Sequence, residues 1–330
     1  MACLVGLGWW YGAGRFAAAV DGWVAARRGE GWRIEASPPR ITGFPLRWTA
    51  RFASIALTPP APGDRPAPWS WQGHEVTVSW SLFDTGGVHL GTRGTSSLDI
   101  ASDGRRLPIL LDSEAIALRL DLQSQPLQRA TGSATRLALS APDFSAAAQR
   151  VGFELSYDPT SPLDHKQLAG KLSVSLERMA VTLPGQQQPA PLLSGSVSAA
   201  LMGRPPAAPL AQAIAAWRDE GGTIELDPID LRSGAVAVKA DATLALDGEN
   251  RLIGAGTANI SGFDEAVEQL VASGHLAARD APLAKLGFTA LAKPDPKTGV
   301  ATVALPVTAE NGFLYLGPMK IATLKPIKLD

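Results

Sequence analysis

The sequence predicts a mainly β protein: one or more large, curled antiparallel sheets with a few amphipathic helices. Three observations carry this. Apolar residues recur at every second position in segment after segment. In 236–246, Val236, Val238, Ala240, Ala242, Leu244 and Leu246 take alternate positions, with Lys239, Asp241 and Thr243 between them. Period two sends one set to one face of a strand and the other to water, whereas a helix would scatter both. Such segments return roughly every ten residues, the spacing of an all-β chain. The 33 glycines and 26 prolines are ample for the turns between them.

Composition bounds the classes. A chain of 330 residues can bury roughly three quarters of its unfolded surface, as one large or two ordinary domains. With 45% apolar and 18% charged residues, it is not a disordered chain. A net charge of -1 offers no general basic surface, so nucleic acid is not an expected partner. The single cysteine, Cys3, excludes an internal disulfide.

In chain order, 1–30 forms the first region. Residues 2–14 are apolar without a break, and thirteen residues are fewer than the roughly 20 a spanning helix needs. Three readings compete: a buried first helix packing Trp9, Trp10 and Tyr11, an interfacial segment, and a signal anchor whose beginning is missing. The expectation adopted is the anchor, with Leu4, Val5, Leu7, Trp9 and Trp10 as the residues meeting the membrane. From Arg15 to Arg28, Phe16, Val20, Trp23 and Val24 fall on one face of a helix.

Residues 31–203 are a β-rich first half. Strands are expected around Phe52 to Leu57, Trp69 to Trp80, Val88 to Leu90, and over 97–100, 107–112, 115–122, 134–139, 152–157, 171–183 and 193–202. One short helix is expected at 144–151, capped by Asp143. Residues 204–330 form the second half, with the best internal boundary in the loop 202–209. A helix over 209–220 carries Leu210, Ile214 and Trp217 on one face and stops at Gly221-Gly222. The hairpin of 221–247 follows, shifting register at Asp227-Pro228 and turning at Ser233-Gly234. Helices are then expected after Ser261, with a capping box to Asp264, and over 280–290 with Pro282 in the first turn. Strands return with Val303 and Leu305, Phe313 to Tyr315, and Ile321.

Nothing in the sequence assembles a recognisable active site. His74, His89, His165 and His275 lack metal-ligand spacing, no serine occupies a nucleophile elbow, and no phosphate loop appears. Arg47, Arg51 and Lys239 could bind anionic groups, but solubilising charges on an outward sheet face are the simpler reading. No enzyme activity, cofactor, metal or catalytic residue is expected. What the chain has in surplus is apolar sheet face. A closed sandwich would cover it, and a curled open sheet would leave a groove suited to acyl chains.

Several stretches resemble the family catalogued as domain of unknown function 2125: ITGFPLR at 41–47, AWRDEGG at 216–222, LALDG at 244–248 and GFLYLGPMKIATLKP at 312–326. Members usually begin with a membrane helix and lie in the envelope of Gram-negative bacteria. The ending GFLYLGP is similar, more distantly, to AsmA-like envelope proteins, whose grooved sheets are associated with lipid movement. The resemblance implies a protein anchored in the inner membrane and facing the periplasm. The function expected is a non-enzymatic envelope protein that binds or passes lipid along an apolar sheet face, with phospholipid as a partner. The alternative is a scaffolding module with a closed core that binds another envelope protein. A hydrolase of envelope material is the third class.

Overall fold

The computed structural model describes residues 2–61, 63, 66–102, 105–121, 128–182, 192–272, 276–295 and 298–327. Strands make up 58% of the structure, and the pairing is antiparallel, as the alternation predicts. The chain divides into two compact units, Met1–Phe153 with Glu177–Ala190, and Glu154–Leu176 with Pro191–Asp330. The loop 202–209 falls inside the second unit.

The first unit opens with α1 (Ala2–Gly29), in which the apolar run and the amphipathic stretch form one continuous helix. Two short strands, β1 (Arg33–Ala36) and β2 (Arg40–Thr42), both pair with β3 (Arg47–Thr58). Then β4 (Trp69–Ser81), β5 (Asp84–Ser102), β6 (Arg105–Asp121) and β7 (Arg129–Ala141) follow as an antiparallel meander. β5 and β6 are longer than the sequence pattern suggests. The separate pieces expected at 88–90 and 97–100 are one strand, and so are those at 107–112 and 115–122. The interruption in alternation is a register shift at Thr92/Gly94. One residue of β5, Arg93, faces two of β6, Glu114 and Ala115, so β6 bulges there while Gly94 of β5 takes φ 71° and both strands continue.

α1 packs on β3 and β4, where Phe16 and Val20 lie against the buried Ala50, Phe52 and Val76. A Cβ at Gly12 would meet the Trp48 indole, so this glycine sets how closely helix and sheet approach. Trp23 departs from the expected face and is exposed, while Phe16 and Val20 carry the packing on the sheet.

The chain passes between the units along β8 (Phe144–Tyr157) and β9 (Leu168–Thr182). The helix expected at 144–151 is therefore a strand. Asp143 sits in the turn after β7, and Ala146 and Ala148 are buried at alternate positions. Alanine-rich helix propensity is a weak prior, and strand pairing overrides it.

The second unit holds β10 (Leu193–Met202), α2 (Leu210–Asp219), β11 (Thr223–Ser233), β12 (Val236–Leu246), β13 (Leu252–Ser261), α3 (Phe263–Ala272) and α4 (Ala281–Leu291). It ends with β14 (Lys293–Pro294), β15 (Ala301–Glu310), β16 (Phe313–Leu316) and β17 (Met319–Thr323). The sheet runs β10-β11-β12-β13-β15-β16-β17, with β14 beside the start of β15. The expected hairpin is present as β11 and β12. Its turn is Gly234-Ala235, one residue later than expected, because Ser233 pairs with Val236 and Gly234 takes φ 62°. The shift at Asp227-Pro228 is a bulge, since Leu226 pairs with Ala242 and Ile229 with Ala240. Two residues facing one keep Leu226 and Ile229 on the same face.

Three helices complete this unit. In α2 the buried Trp217 donates its indole N–H to the carbonyls of Met202 and Gly203, both at 2.9 Å, and lies against Gly222. α3 and α4 close over one end of the sheet, where Phe263, Val303 and Leu305 are buried with Ile260, Phe288 and Leu316 against them. The expected cap at Asp280 makes no side-chain bond to the α4 backbone, although Pro282 does stand in its first turn.

Candidate functional site

The strand registers assemble a continuous apolar face in the second unit. Residues opposite each other on antiparallel strands share a face. One such row crosses the sheet from Ala199 through Leu226, Ala242, Gly256 and Val307 to Leu316. The next runs from Leu201 through Ile224, Leu244, Gly254 and Ala309 to Leu314. The opposite face carries Glu225, Asp230, Lys239, Asp241, Thr243, Thr257, Asn259 and Thr308. Lys239, one of the cations singled out in the sequence, points away from the apolar rows, with Asp230 and Asn259 as cross-strand neighbours.

The apolar face is thinly covered. On β12 none of Val236, Val238, Ala240, Ala242, Leu244 and Leu246 is fully buried. Among the described residues, Val267 and Val303 are the only large side chains below 2% exposure. Small residues along the rows, Ala199, Ala242, Gly254 and Gly256, leave low ground between the leucines and isoleucines.

The first unit repeats this design. Val88 pairs with Leu120, Leu90 with Leu118, Leu98 with Ile109 and Ile100 with Leu107, so β5 and β6 present one apolar face. Its opposite face holds a cluster of coupled charges. Arg119 donates to both oxygens of Asp84 at 2.8 Å, and His89 lies 2.9 Å from the same carboxylate. The Arg119 bond, opposed in part by desolvation, holds the Asp84 carboxyl well below the usual carboxylate range. A Cβ at Gly87 would crowd both Asp84 and Arg119, so glycine there makes room for the pair. Asp84 and Arg119 stand 35 residues apart, and only the β5–β6 register joins them. The outward positions of His89 and Arg119 in alternating strands were the one signal available in the sequence. The geometry of the cluster is that of a strand-locking ion pair.

The other histidines are scattered. His74 faces Ser54 across β3 and β4, His165 lies 3.8 Å from Asp164 in a connecting loop, and His275 lies outside the described residues. Among the described residues no group of three or more His, Cys, Asp or Glu side chains could hold a metal ion.

The anchor candidates diverge. Trp9 turns inward, donating its N–H to the Arg47 carbonyl while its own carbonyl accepts from Trp48, each at 3.0 Å. Val5, Leu7 and Trp10 are exposed, Trp10 at 72%, and the side chain of Leu4 lies outside the described residues. Trp9, Trp10, Tyr11, Arg15 and Ile41 line an open cleft of about 500 Å³. Among the described residues no helix is long and apolar enough to cross a membrane.

A family model described as an uncharacterized protein conserved in bacteria (DUF2125) matches residues 9–325. The chain belongs to the DUF2125 family. The match spans both units, from Trp9 in α1 to beyond β17. It takes in the stretches at 41–47, 216–222 and 244–248 whole, and the one at 312–326 up to residue 325. No curated protein and no solved structure matches the chain.

Proposed function

We propose that this DUF2125 protein is a non-enzymatic envelope protein that shields or passes lipid along the apolar face of its sheet, positioned by α1 at the inner membrane on the periplasmic side. The observation that supports the reading is the half-covered apolar face of β10 to β15. It spans several strands, mixes small residues with large ones, and stays partly open to solvent along β12. Contiguous exposed apolar surface beyond a few hundred Å² generally marks a binding site in a soluble fold. Acyl chains suit it, because each buried methylene contributes about 0.8 kcal/mol, so about ten methylenes reach micromolar affinity.

The test is mass spectrometry of the purified full chain for bound phospholipid, together with titration of a fluorescent fatty acyl probe. Lipid in the preparation and probe binding at micromolar levels or better are expected. Leu244→Asp should weaken the probe while the protein stays folded. A well-folded chain that carries no lipid and binds no probe would instead support a scaffolding module for another envelope protein.

A further inference from the structure

A second apolar surface lies at one end of the first unit, apart from the sheet face argued above. Three elements meet there: the N-terminal turns of α1, the β2–β3 connection, and the tip between β4 and β5. Trp9 joins the first two through its bond to the Arg47 carbonyl and its edge contact with Phe44, ring centroids 5.8 Å apart. The tip joins the connection through the backbone bond from Leu82 N–H to the Leu46 carbonyl at 3.1 Å. The Trp48–Trp80 stack, at 5.4 Å between centroids, lies beside the same junction. From this base Leu7, Trp10, Phe44, Leu46, Leu82 and Phe83 project into solvent, Phe44 at 58% and Phe83 at 83% exposure. A large aromatic at the tip of a tight turn gains nothing from the fold that holds it there.

The charges left uncompensated around this end are basic, since Asp84 beside Phe83 is already bound by Arg119. Between Glu35 and Asp64 the sequence holds no acidic residue, but it holds Arg40, Arg47 and Arg51. All three are exposed, and among the described residues none has an ion-pair partner. Arg40 and Arg51 stand directly opposite each other across β2 and β3, a like-charge pairing that destabilises a sheet until an anion joins it. Arg15 adds a fourth cation beside the Trp10 cleft.

We infer that this end of the first unit docks on an anionic lipid surface, with Phe44, Leu46, Leu82 and Phe83 entering the headgroup zone beside the first turns of α1 and the arginines meeting lipid phosphates. Aromatic residues favour that zone, and shallow insertion of apolar side chains flanked by basic ones is how peripheral proteins hold a membrane. A second copy of the chain fits less well, because a two-fold contact would set the same arginines against each other. The surface differs from the sheet face proposed for lipid passage, so either can fail alone.

The test uses the full chain with vesicles of phosphatidylglycerol and phosphatidylethanolamine, or of phosphatidylcholine alone, read by co-flotation. One variant carries Phe44→Ser with Phe83→Ser, and another carries Arg40→Gln, Arg47→Gln and Arg51→Gln. Both leave α1 intact and should keep the parent's circular dichroism spectrum and acyl-probe affinity, and the arginine variant, freed of the Arg40–Arg51 pairing, should melt no lower than the parent. The phenylalanine variant should partition roughly tenfold or more weakly on anionic vesicles. The arginine variant should lose on the order of a hundredfold there and change little on phosphatidylcholine. Parent-like partitioning of both variants would overturn the inference, since α1 alone would then account for binding. So would a dimer in vesicle-free buffer that the phenylalanine variant abolishes.

Discussion

β12 and β15 lie two strands apart in one sheet and carry the same alternation, yet only β15 builds a core. Val303 is 1% exposed, and Leu305 and Ala309 are buried with it, whereas no residue from Val236 to Leu246 is fully buried. Intrinsic strand propensity does not explain the difference, for both strands are rich in Val, Ala and Leu. Cover does. Phe263 of α3 and Phe288 of α4 close over the Val303 end of the sheet, and Val267 of α3 has no exposed surface. An apolar row becomes core only where another element lies on it. The first unit obeys the same rule at Ala50, Phe52 and Val76, which are buried where α1 brings Phe16 and Val20.

The sharpest way to break this comparison is a charge placed at matched positions. Val303→Asp should destabilise the second unit by about 4 kcal/mol or more, because the carboxylate is stranded without a partner or water. Leu244→Asp should cost about 2 kcal/mol, since a partly exposed side chain can reach solvent. Equal midpoints in chemical denaturation would mean that β12 is covered as well as β15.

Removing cover is the next largest effect. Val267→Ala leaves a cavity under α3 and should cost about 2 kcal/mol. It should also raise hydrogen exchange at Val303 and Leu305 while leaving β12 unchanged. Faster exchange along the whole sheet would show that the helix-covered end and the open stretch unfold as one body.

A smaller effect concerns the ion pair that locks β5 to β6. The Asp84 carboxyl titrates below its ordinary 3.8, chiefly through Arg119, so its stabilisation is fully present above that value. It is lost as pH falls through the folded-state value. Asp84→Asn should therefore be less stable than the parent at pH 7, by an amount that shrinks once the pH falls below about 4. A deficit that stays constant on further acidification would remove the charge from the explanation. Smallest of all, Lys239→Ala should shift stability by no more than about 0.5 kcal/mol, as an outward residue on β12 should.

Much of the fold was legible because it is local. Alternation at Val236 to Leu246 reads out directly as a strand face, and the odd spacing around Asp227-Pro228 reads out as a bulge. Trp217 followed by Gly221-Gly222 marks a helix and its stop. The errors are equally local. Ala146 and Ala148 support either period, so the segment after Asp143 read as a helix. The break in pattern between 90 and 97 split β5 into two expected strands, because a bulge interrupts alternation as a strand end does.

The sequence by itself determined that the chain is antiparallel β, which residues share a face, and that it has much apolar sheet face to cover, since these follow from side-chain period and composition. Only the tertiary structure decided which stretches are covered. It also decided that Asp84 meets Arg119, that Phe44 meets Trp9, and that the Leu82-Phe83 tip joins Leu46. Such pairings depend on register between strands and on where a helix lands, set by packing energies summed over distant parts of the chain.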